Sequence, residues 1–162
     1  MKNIYPCLWF DDRAEEAADF YVSVFPNSRI LYKAYYTENM PLPAGTILTV
    51  TFEVNGAKLM ALNGGPLFKF SEATSLIVEC ETQAEIDAVW DKLVSNGGAE
   101  SQCGWLKDKY GFSWQITPDT MDEYLQGTPE QVSRAMGAVM KMVKLDKAAI
   151  EAAYHGTAGA AQ

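Results

Sequence analysis

The feature that most constrains the fold is a short apolar strand followed by a capped amphipathic helix, which occurs twice, about 70 residues apart. In the first copy, Leu8-Trp9-Phe10 leads to Asp12 and Glu15, and apolar residues then recur at helical spacing over residues 17–25. Asp12 and Glu15 have the spacing of a variant capping box, in which each side chain satisfies a backbone amide at the helix start. We therefore predict a helix over residues 12–25.

The second copy repeats this order. Leu76-Ile77-Val78 leads to Thr82 and Glu85, and apolar residues follow over residues 86–94 at positions i, i+3, i+4, i+7 and i+8. Thr82 and Glu85 form a capping box, and the Gly-Gly pair after residue 96 is a stop signal. The pattern predicts a helix over residues 82–96.

Each helix is followed by residues typical of strands. In the first copy we predict strands over residues 29–36, 47–54 and 58–62, the last two joined by a hairpin turn at Asn55-Gly56. In the second copy we predict strands over residues 100–105 and 112–118. The chain therefore repeats the order strand-helix-strand-strand-strand, and a repeat of this length indicates two fused modules.

The strand over residues 112–118 alternates apolar residues with small or neutral polar ones. The apolar residues are Phe112, Trp114 and Ile116, and the polar ones are Ser113, Gln115 and Thr117. A neutral polar face suits a wet cavity as well as it suits bulk solvent.

Beyond residue 118 the pattern becomes helical. A methionine-rich apolar stripe runs over residues 132–143, with Thr128 as its cap and Pro129 at the first helical position, and a further helix is expected near residues 148–154. We expect a single domain over residues 1–156 with module one at about 1–66, module two at about 72–118 and C-terminal helices at about 119–156. Residues 157–162 are expected to form a flexible tail.

Charge and cysteine usage exclude several classes of partner. The net charge of −8 and the pI of about 4.6 disfavour nucleic acid and anionic membranes. No apolar run has the length of a membrane span, and no signal peptide is recognisable. The three scattered cysteines are expected to be buried thiols, so we expect a cytoplasmic protein.

Four segments resemble the PhnB-like branch of the vicinal oxygen chelate superfamily. They are LWFDDRAEEAADFYVSVFPNS, LMALNGGP, WLKDKYGFSWQITP and KLDKAAIEAAYHG, and the resemblance covers residues 4–156. The superfamily includes glyoxalase I, bleomycin-resistance proteins and extradiol dioxygenases. Members of this branch often carry the name 3-demethylubiquinone-9 3-methyltransferase.

The resemblance implies an α+β fold in which paired βαβββ modules form curled mixed sheets around a cavity, with C-terminal helices added. The convex face of each sheet would pack on its helix. Ser113, Gln115 and Thr117 would then face the cavity, although the alternative that they meet solvent stays open.

Metal-dependent relatives place His or Glu on the first and last strand of each module. Here those positions are Tyr5 or Pro6, Met60 (or Ala61), Ser75 and Gln115. None of these side chains is a good ligand for a divalent ion, and the sole histidine, His155, lies near the C-terminus. We therefore expect neither a metal nor another cofactor.

An aromatic and neutral polar cavity lining favours a small-molecule ligand. The residues expected to bind it are Trp9, Met60, Ser75, Trp105, Ser113 and Gln115, although such aromatic residues also occur in an ordinary core. One hypothesis is a metal-independent protein that binds an apolar or aromatic ligand. The alternative is an enzyme, including the methyltransferase of the family name, but the glycine-rich turn that usually holds S-adenosylmethionine is missing.

A homodimer is also expected. Short sheets leave open edges, and the methionine-rich stripe offers an apolar surface that a second copy could cover. The same stripe could instead pack within its own chain.

Overall fold

The computed structural model of the protein describes residues 2–157, and the chain divides into two units whose described parts are residues 2–70 and 71–157. The elements of the first unit are β1 Cys7–Phe10, α1 Ala14–Val24, β2 Arg29–Tyr35, β3 Ile47–Val54 and β4 Ala57–Asn63. Its sheet has the order β1-β4-β3-β2, in which β1 pairs with β4 in parallel and the other pairs are antiparallel. The predicted turn at Asn55-Gly56 is confirmed, with left-handed φ angles of 44° and 84°.

The first core lies between α1 and one face of this sheet. Tyr21 of α1 stacks on Phe52 of β3 with ring centroids 6.1 Å apart, and both residues are fully buried. Because side chains alternate along a strand, Val50 and Phe52 face α1 and Thr51 faces the other way. We call the face away from the helix the open face of the sheet.

The predicted capping box at the start of α1 is wrong. The helix begins at Ala14, its N-cap residue is Arg13, and no side chain of the N-cap accepts a helix amide. Instead the Ala14 N–H donates to Oδ1 of Asn63 at 2.7 Å. Asn63 ends β4 directly beside Phe10, so its amide side chain reaches the helix start that follows β1.

The second unit repeats the topology of the first. Its βαβββ elements are β5 Ser75–Cys80, α2 Gln83–Val94, β6 Ala99–Glu100, β7 Trp105–Lys107 and β8 Ser113–Pro118. The strand order β5-β8-β7-β6 matches that of the first sheet, and β5 pairs with β8 in parallel. The α+β fold with two four-stranded mixed sheets and C-terminal helices is therefore confirmed, as is the capping box of Thr82 and Glu85.

The predicted strand over residues 100–105 is wrong. Strand β6 ends at Glu100 and β7 begins at Trp105, with a tight turn between them. Cys103 and Gly104 adopt left-handed φ angles of 60° and 81°. The two strands are halves of a hairpin, in which Ala99 pairs with Lys107.

Three helices complete the second unit. They are α3 Met121–Leu125, α4 Pro129–Val139 and α5 Lys147–His155. A capping box of Thr128 and Gln131 begins α4, which ends at Val139, before the end of the predicted stripe. Residues 158–162 of the predicted tail lie outside the described residues.

The methionine-rich stripe packs within its own unit. Ala135 and Val139 of α4 form a core with Leu145 and Ile150, and Met136 and Met142 pack against it. Most of the stripe is therefore buried within its own unit, and Met140, which is 70% exposed, is the part of it that stays free. Among the helices formed by residues 2–157, none is long and apolar enough to span a membrane.

The cysteines only partly match the expectation of buried thiols. Cys80 is buried, and desolvation raises the pKa of its thiol to about 11, so it stays protonated near neutral pH. Cys103 is half-buried, whereas Cys7 is exposed. The expectation is wrong for Cys7 because it lies on the open face of edge strand β1, next to Met60.

Candidate functional site

The second sheet separates an apolar face from a polar one, as the alternation predicts. Phe112, Trp114 and Ile116 are buried, and α2, which packs on β8, buries Ile86, Trp90 and Leu93. Ser113, Gln115 and Thr117 point the opposite way because side chains alternate along β8. The apolar face is thus the core of the unit, and the open face carries the candidate site.

The structure brings four of the six expected ligand-binding residues together on this open face. Ser75 pairs with Ser113 across β5 and β8, and Trp105 pairs with Gln115 across β7 and β8. The side-chain amide of Gln115 donates to Oγ of Ser75 at 2.8 Å. An amide beside a hydroxyl can offer both donors and acceptors without adding charge.

Ser113 is the most unusual member of this group. It is 1% exposed, and its hydroxyl has no hydrogen-bond partner among the described residues. A buried hydroxyl without a partner costs roughly 1–3 kcal/mol. A bound molecule that offers a hydrogen-bond donor or acceptor to this hydroxyl would remove that free-energy cost.

A cavity of about 230 Å³ adjoins Ser113. Its lining includes Glu72, Glu100, Ser101, Trp105, Lys107 and Ser113. The lining therefore combines one aromatic side chain with hydroxyl and charged groups. This composition is typical of a site for a small organic molecule with a few polar groups.

The charged groups of this lining are engaged with other groups. Lys107 forms an ion pair with Glu72, and this hydrogen bond lowers the pKa of the Glu72 carboxyl. Oε1 of Glu100 accepts a hydrogen bond from the Trp90 indole at 2.8 Å. The Ser113 hydroxyl, which has no hydrogen-bond partner among the described residues, is therefore a polar group of this lining that a ligand could still bind.

The other two expected residues lie on neighbouring strands of the first unit. Trp9 of β1 donates its indole N–H to the carbonyl of Gly65 at 2.8 Å, and its ring meets Phe68 edge to face at 5.0 Å. A side chain at Gly64 would overlap the Trp9 ring, so only glycine fits there. Trp9 is thus fixed by the loop that follows β4, and Met60 lies on β4 beside Cys7.

The sequence interpretation missed Thr51. This residue is 3% exposed on the open face of β3, it pairs with Met60, and its hydroxyl has no partner among the described residues. Each sheet therefore carries one buried hydroxyl of this kind, Thr51 in the first and Ser113 in the second. The signal was available as a single Thr between the apolar Val50 and Phe52.

The residues of the two open faces do not fit a divalent metal. Met60 and Gln115 occupy equivalent positions, paired with Cys7 and Ile77 of the first strand in each unit. Within residues 2–157, no three His, Cys, Asp or Glu side chains are grouped closely enough to hold an ion. His155 lies exposed on α5, where its ring contacts Tyr154.

Comparison with known families gives one match. The family model described as 3-demethylubiquinone-9 3-methyltransferase matches residues 2–117. A search of the curated proteins finds no match.

Solved structures give similar folds. A putative 3-demethylubiquinone-9 3-methyltransferase, PhnB protein, from Bacillus cereus is 40% identical, with a TM-score of 0.65 over 72% of this chain and 99% of its own. A Pseudomonas aeruginosa protein is 19% identical, with a TM-score of 0.59 over 73% of this chain and 98% of its own.

A third similar structure is the fosfomycin resistance protein FosX from Listeria monocytogenes, which was solved with Mn(II) and a sulfate ion. It is 13% identical, with a TM-score of 0.55 over 78% of this chain and 97% of its own. At this identity the likeness concerns the fold alone. The family match ends at residue 117, so α3, α4 and α5 lie beyond it.

Proposed function

This chain belongs to the 3-demethylubiquinone-9 3-methyltransferase family, the PhnB-like branch of the vicinal oxygen chelate superfamily, and we propose that it is a metal-independent protein that binds an apolar or aromatic small molecule. In the second unit the proposed ligand contacts are Trp105, Ser113, Gln115 and Ser75. In the first unit, taken by itself, Trp9 and Met60 are the proposed contacts of its own open face. We also propose that it acts in the cytoplasm.

The observation that carries this proposal is the buried hydroxyl of Ser113 beside the aromatic wall of its cavity. The hydroxyl is sealed from solvent and has no partner among the described residues, while Trp105 lines the same space. A ligand with a planar apolar body and one polar substituent would stack on Trp105 and satisfy Ser113. Gln115 would add a neutral hydrogen bond.

Equilibrium binding of a neutral aromatic molecule tests this proposal. We expect the dye N-phenylnaphthylamine to bind the wild-type protein, and Ser113→Ala to weaken binding by roughly fivefold, the worth of about one hydrogen bond. Native mass spectrometry of freshly purified protein would show any molecule that co-purifies. Absence of dye binding together with a mass equal to that of the bare chain would refute the proposal.

Metal independence has its own test. After dialysis against zinc, nickel and manganese, we expect no stoichiometric metal and no rise in thermal stability, since a ligand specific for the folded state must raise it. A neutral amide at Gln115 and a thioether at Met60 offset little of the dehydration of a divalent ion. Stoichiometric metal that is lost in Gln115→Ala would overturn this part of the proposal.

The second candidate is the methyltransferase activity that the family description names. The connections where a glycine-rich cofactor turn would lie are Asp11–Arg13 before α1 and Glu81–Thr82 before α2, and neither contains glycine. Transfer of a labelled methyl group from S-adenosylmethionine to a demethylubiquinone analogue would establish this candidate over simple binding.

We also propose a homodimer, supported by the edge strands rather than by the methionine-rich stripe. Tyr32 on β2 and Ile77 on β5 are 56% and 60% exposed, and both strands lie at sheet edges. Exposed apolar edges invite pairing with another chain. Light scattering at micromolar concentration should give the mass of two chains, and the mass of one chain would refute the dimer.

A further inference from the structure

The turn between β6 and β7 lies directly beside the candidate cavity. Its flanking residues, Ser101 and Trp105, both line the cavity, and the Ser101 N–H donates to the Trp105 carbonyl at 2.9 Å. A second hydrogen bond within the turn joins the Trp105 N–H to the Gln102 carbonyl at 3.1 Å. Displacement of this turn would therefore displace the backbone that carries Trp105.

The segment between α4 and α5 holds the turn in place. The N–H groups of Cys103 and Gly104 donate to the carbonyls of Met142 and Val143, each at 2.8 Å. These two bonds satisfy the backbone amides of the two turn residues that have left-handed φ angles. The turn is thus joined to a segment that lies about 40 residues further along the chain.

Leu145 packs against the same turn. A Cβ atom at Gly104 would lie 3.0 Å from Cδ1 of Leu145 and 2.8 Å from the carbonyl oxygen of Ile116 on β8. Leu145 is 1% exposed and belongs to the core formed by α3, α4 and α5. The Leu145 side chain therefore contacts both the helical core and the hairpin turn, so a shift of the core would shift the turn.

The helical core is in turn attached to α2. Gln83 donates to the Leu145 carbonyl at 3.1 Å and accepts from the Lys147 N–H at 2.9 Å, and Lys144 pairs with Asp91 at 2.9 Å. Both ends of the segment that holds the turn are fixed, by α4 on one side and by α2 on the other. A fixed support makes the turn rigid rather than mobile.

We propose that Leu145 is a positioning residue for the ligand site, and that the C-terminal helices, which lie beyond the family match, set the place of Trp105 in the cavity. This inference rests on the proposed function and deepens it. Preorganised aromatic walls bind more tightly because less ordering remains to be done on binding. Ligand binding and packing at Leu145 should therefore be coupled.

Matched truncations in the helical core test this inference. Leu145→Ala and Ile150→Ala remove equal numbers of carbon atoms from fully buried positions of one core, but the contact with Gly104 involves Leu145. We expect Leu145→Ala to weaken N-phenylnaphthylamine binding about tenfold and Ile150→Ala less than about twofold. Leu145→Met, which keeps the volume, should restore most of the affinity.

Amide hydrogen exchange gives a readout that does not need a ligand. The amides of Cys103 and Gly104 should exchange faster in Leu145→Ala than in Ile150→Ala, because the first variant loosens their acceptor segment. If Leu145→Ala does not fold, Leu145→Val and Ile150→Val are compared in the same two measurements. We then expect Leu145→Val to weaken dye binding and to speed exchange at the turn more than Ile150→Val does, by smaller amounts than for the alanine variants.

The outcomes separate this inference from the proposed function. The positioning role is supported if the Leu145 variant loses more dye affinity than the Ile150 variant and also shows faster amide exchange at Cys103 and Gly104. Dye binding that both variants weaken equally, or exchange that both accelerate equally, overturns it and leaves the proposed function intact. Failure of the wild-type protein to bind the dye overturns the proposed function, and this inference with it.

Discussion

The two units share a topology but differ in the chemistry of their open faces. Both sheets place the first strand in parallel beside the last, and both bury one helix against the opposite face. Yet Met60 in the first sheet takes the place of Gln115 in the second, and Thr51 takes the place of Trp105. Residues of the open face are outside the helix-facing core, so they can change while the topology is kept.

The two units also begin their helices differently. The amides at the start of α2 are satisfied locally by Thr82 and Glu85, whereas the Ala14 N–H at the start of α1 donates to Asn63 at the end of the neighbouring strand β4. A local cap acts on the helix alone. A cap from another strand joins the helix start to the sheet, so its loss disturbs both.

The largest expected effect comes from exchanging these caps for alanine. Asn63 is 4% exposed, and Asn63→Ala leaves the Ala14 N–H and the Ile47 carbonyl without their partner. We expect a loss of roughly 2–4 kcal/mol in the free energy of unfolding. Thr82→Ala should cost about 1 kcal/mol, as an exposed cap usually does.

Urea unfolding measures both caps on one scale. Asn63→Asp keeps the acceptor for Ala14 but sets a buried carboxylate against the Ile47 carbonyl. Its cost at neutral pH should therefore equal or exceed that of Asn63→Ala, and it should fall in acid, where the carboxyl is protonated. Equal costs for Asn63→Ala and Thr82→Ala would contradict the difference between the units.

A second, smaller effect concerns the two buried hydroxyls. Because neither has a partner, Thr51→Val and Ser113→Ala should leave the free energy of unfolding unchanged or raise it by up to about 1 kcal/mol. Ser75→Ala is the matched control, since its hydroxyl accepts the Gln115 hydrogen bond and its loss should cost about 1 kcal/mol. Thermal unfolding without ligand tests all three, and a clear loss in Ser113→Ala would mean that its hydroxyl has a structural partner.

The smallest effect comes from the ion pairs that attach Lys33 to Glu15 in the first unit and Lys147 to Asp119 in the second, both 2.6 Å long. The hydrogen bond from Lys147 lowers the pKa of Asp119 below 3.8. The contribution of the Asp119 carboxylate to folding stability is therefore fully present above the ordinary pKa of an Asp carboxyl. It is lost as the pH falls through the lower pKa that Asp119 has in the folded protein. Hydrogen bonds to Glu15 and Asp119 raise the pKa of Lys33 and Lys147, respectively, above 10.5. The contributions of the two lysines to folding stability are therefore present below pH 10.5 and are lost as the pH rises through the raised pKa values.

Stability measured against pH checks the sign. The difference between wild type and Lys147→Met should be largest near neutral pH, shrink in acid, and decrease at high salt, because the pair is partly exposed. Lys33→Met provides the comparison in the first unit. A difference that grows in acid would contradict the assignment.

The sequence predicts what depends on neighbouring residues. The periodicity of residues 86–94 and the Thr82–Glu85 spacing place α2, and Asn55-Gly56 places the β3–β4 hairpin within one residue. The alternation in β8 separates Trp114 from Gln115 without any tertiary information. Ser75, Trp105, Ser113 and Gln115 share one open face because β5 and β7 both pair with β8, an order that the structure shows.

The sequence does not predict contacts between distant residues. Asn63 replaces the expected cap of α1 because β4 pairs in parallel with β1, so that the ends of the two strands lie side by side. The split between β6 and β7 depends on amides that find acceptors near residue 142. The stripe of α4 has the same pattern whether it packs on Ile150 or on another chain, so only the structure decides its partner.

The parallel pairing of first and last strands has a consequence for the order of folding. Cys7 pairs with Met60, and Ser75 pairs with Ser113, so neither sheet can be completed until its last strand, β4 or β8, has been synthesised. Closing such long loops before their contacts form makes folding slow, and N-terminal units generally fold first on the ribosome. The first sheet can therefore close once Asn63 has emerged, while the turn at Gly104 must wait for Leu145, so the chain assembles its Trp105 hairpin last.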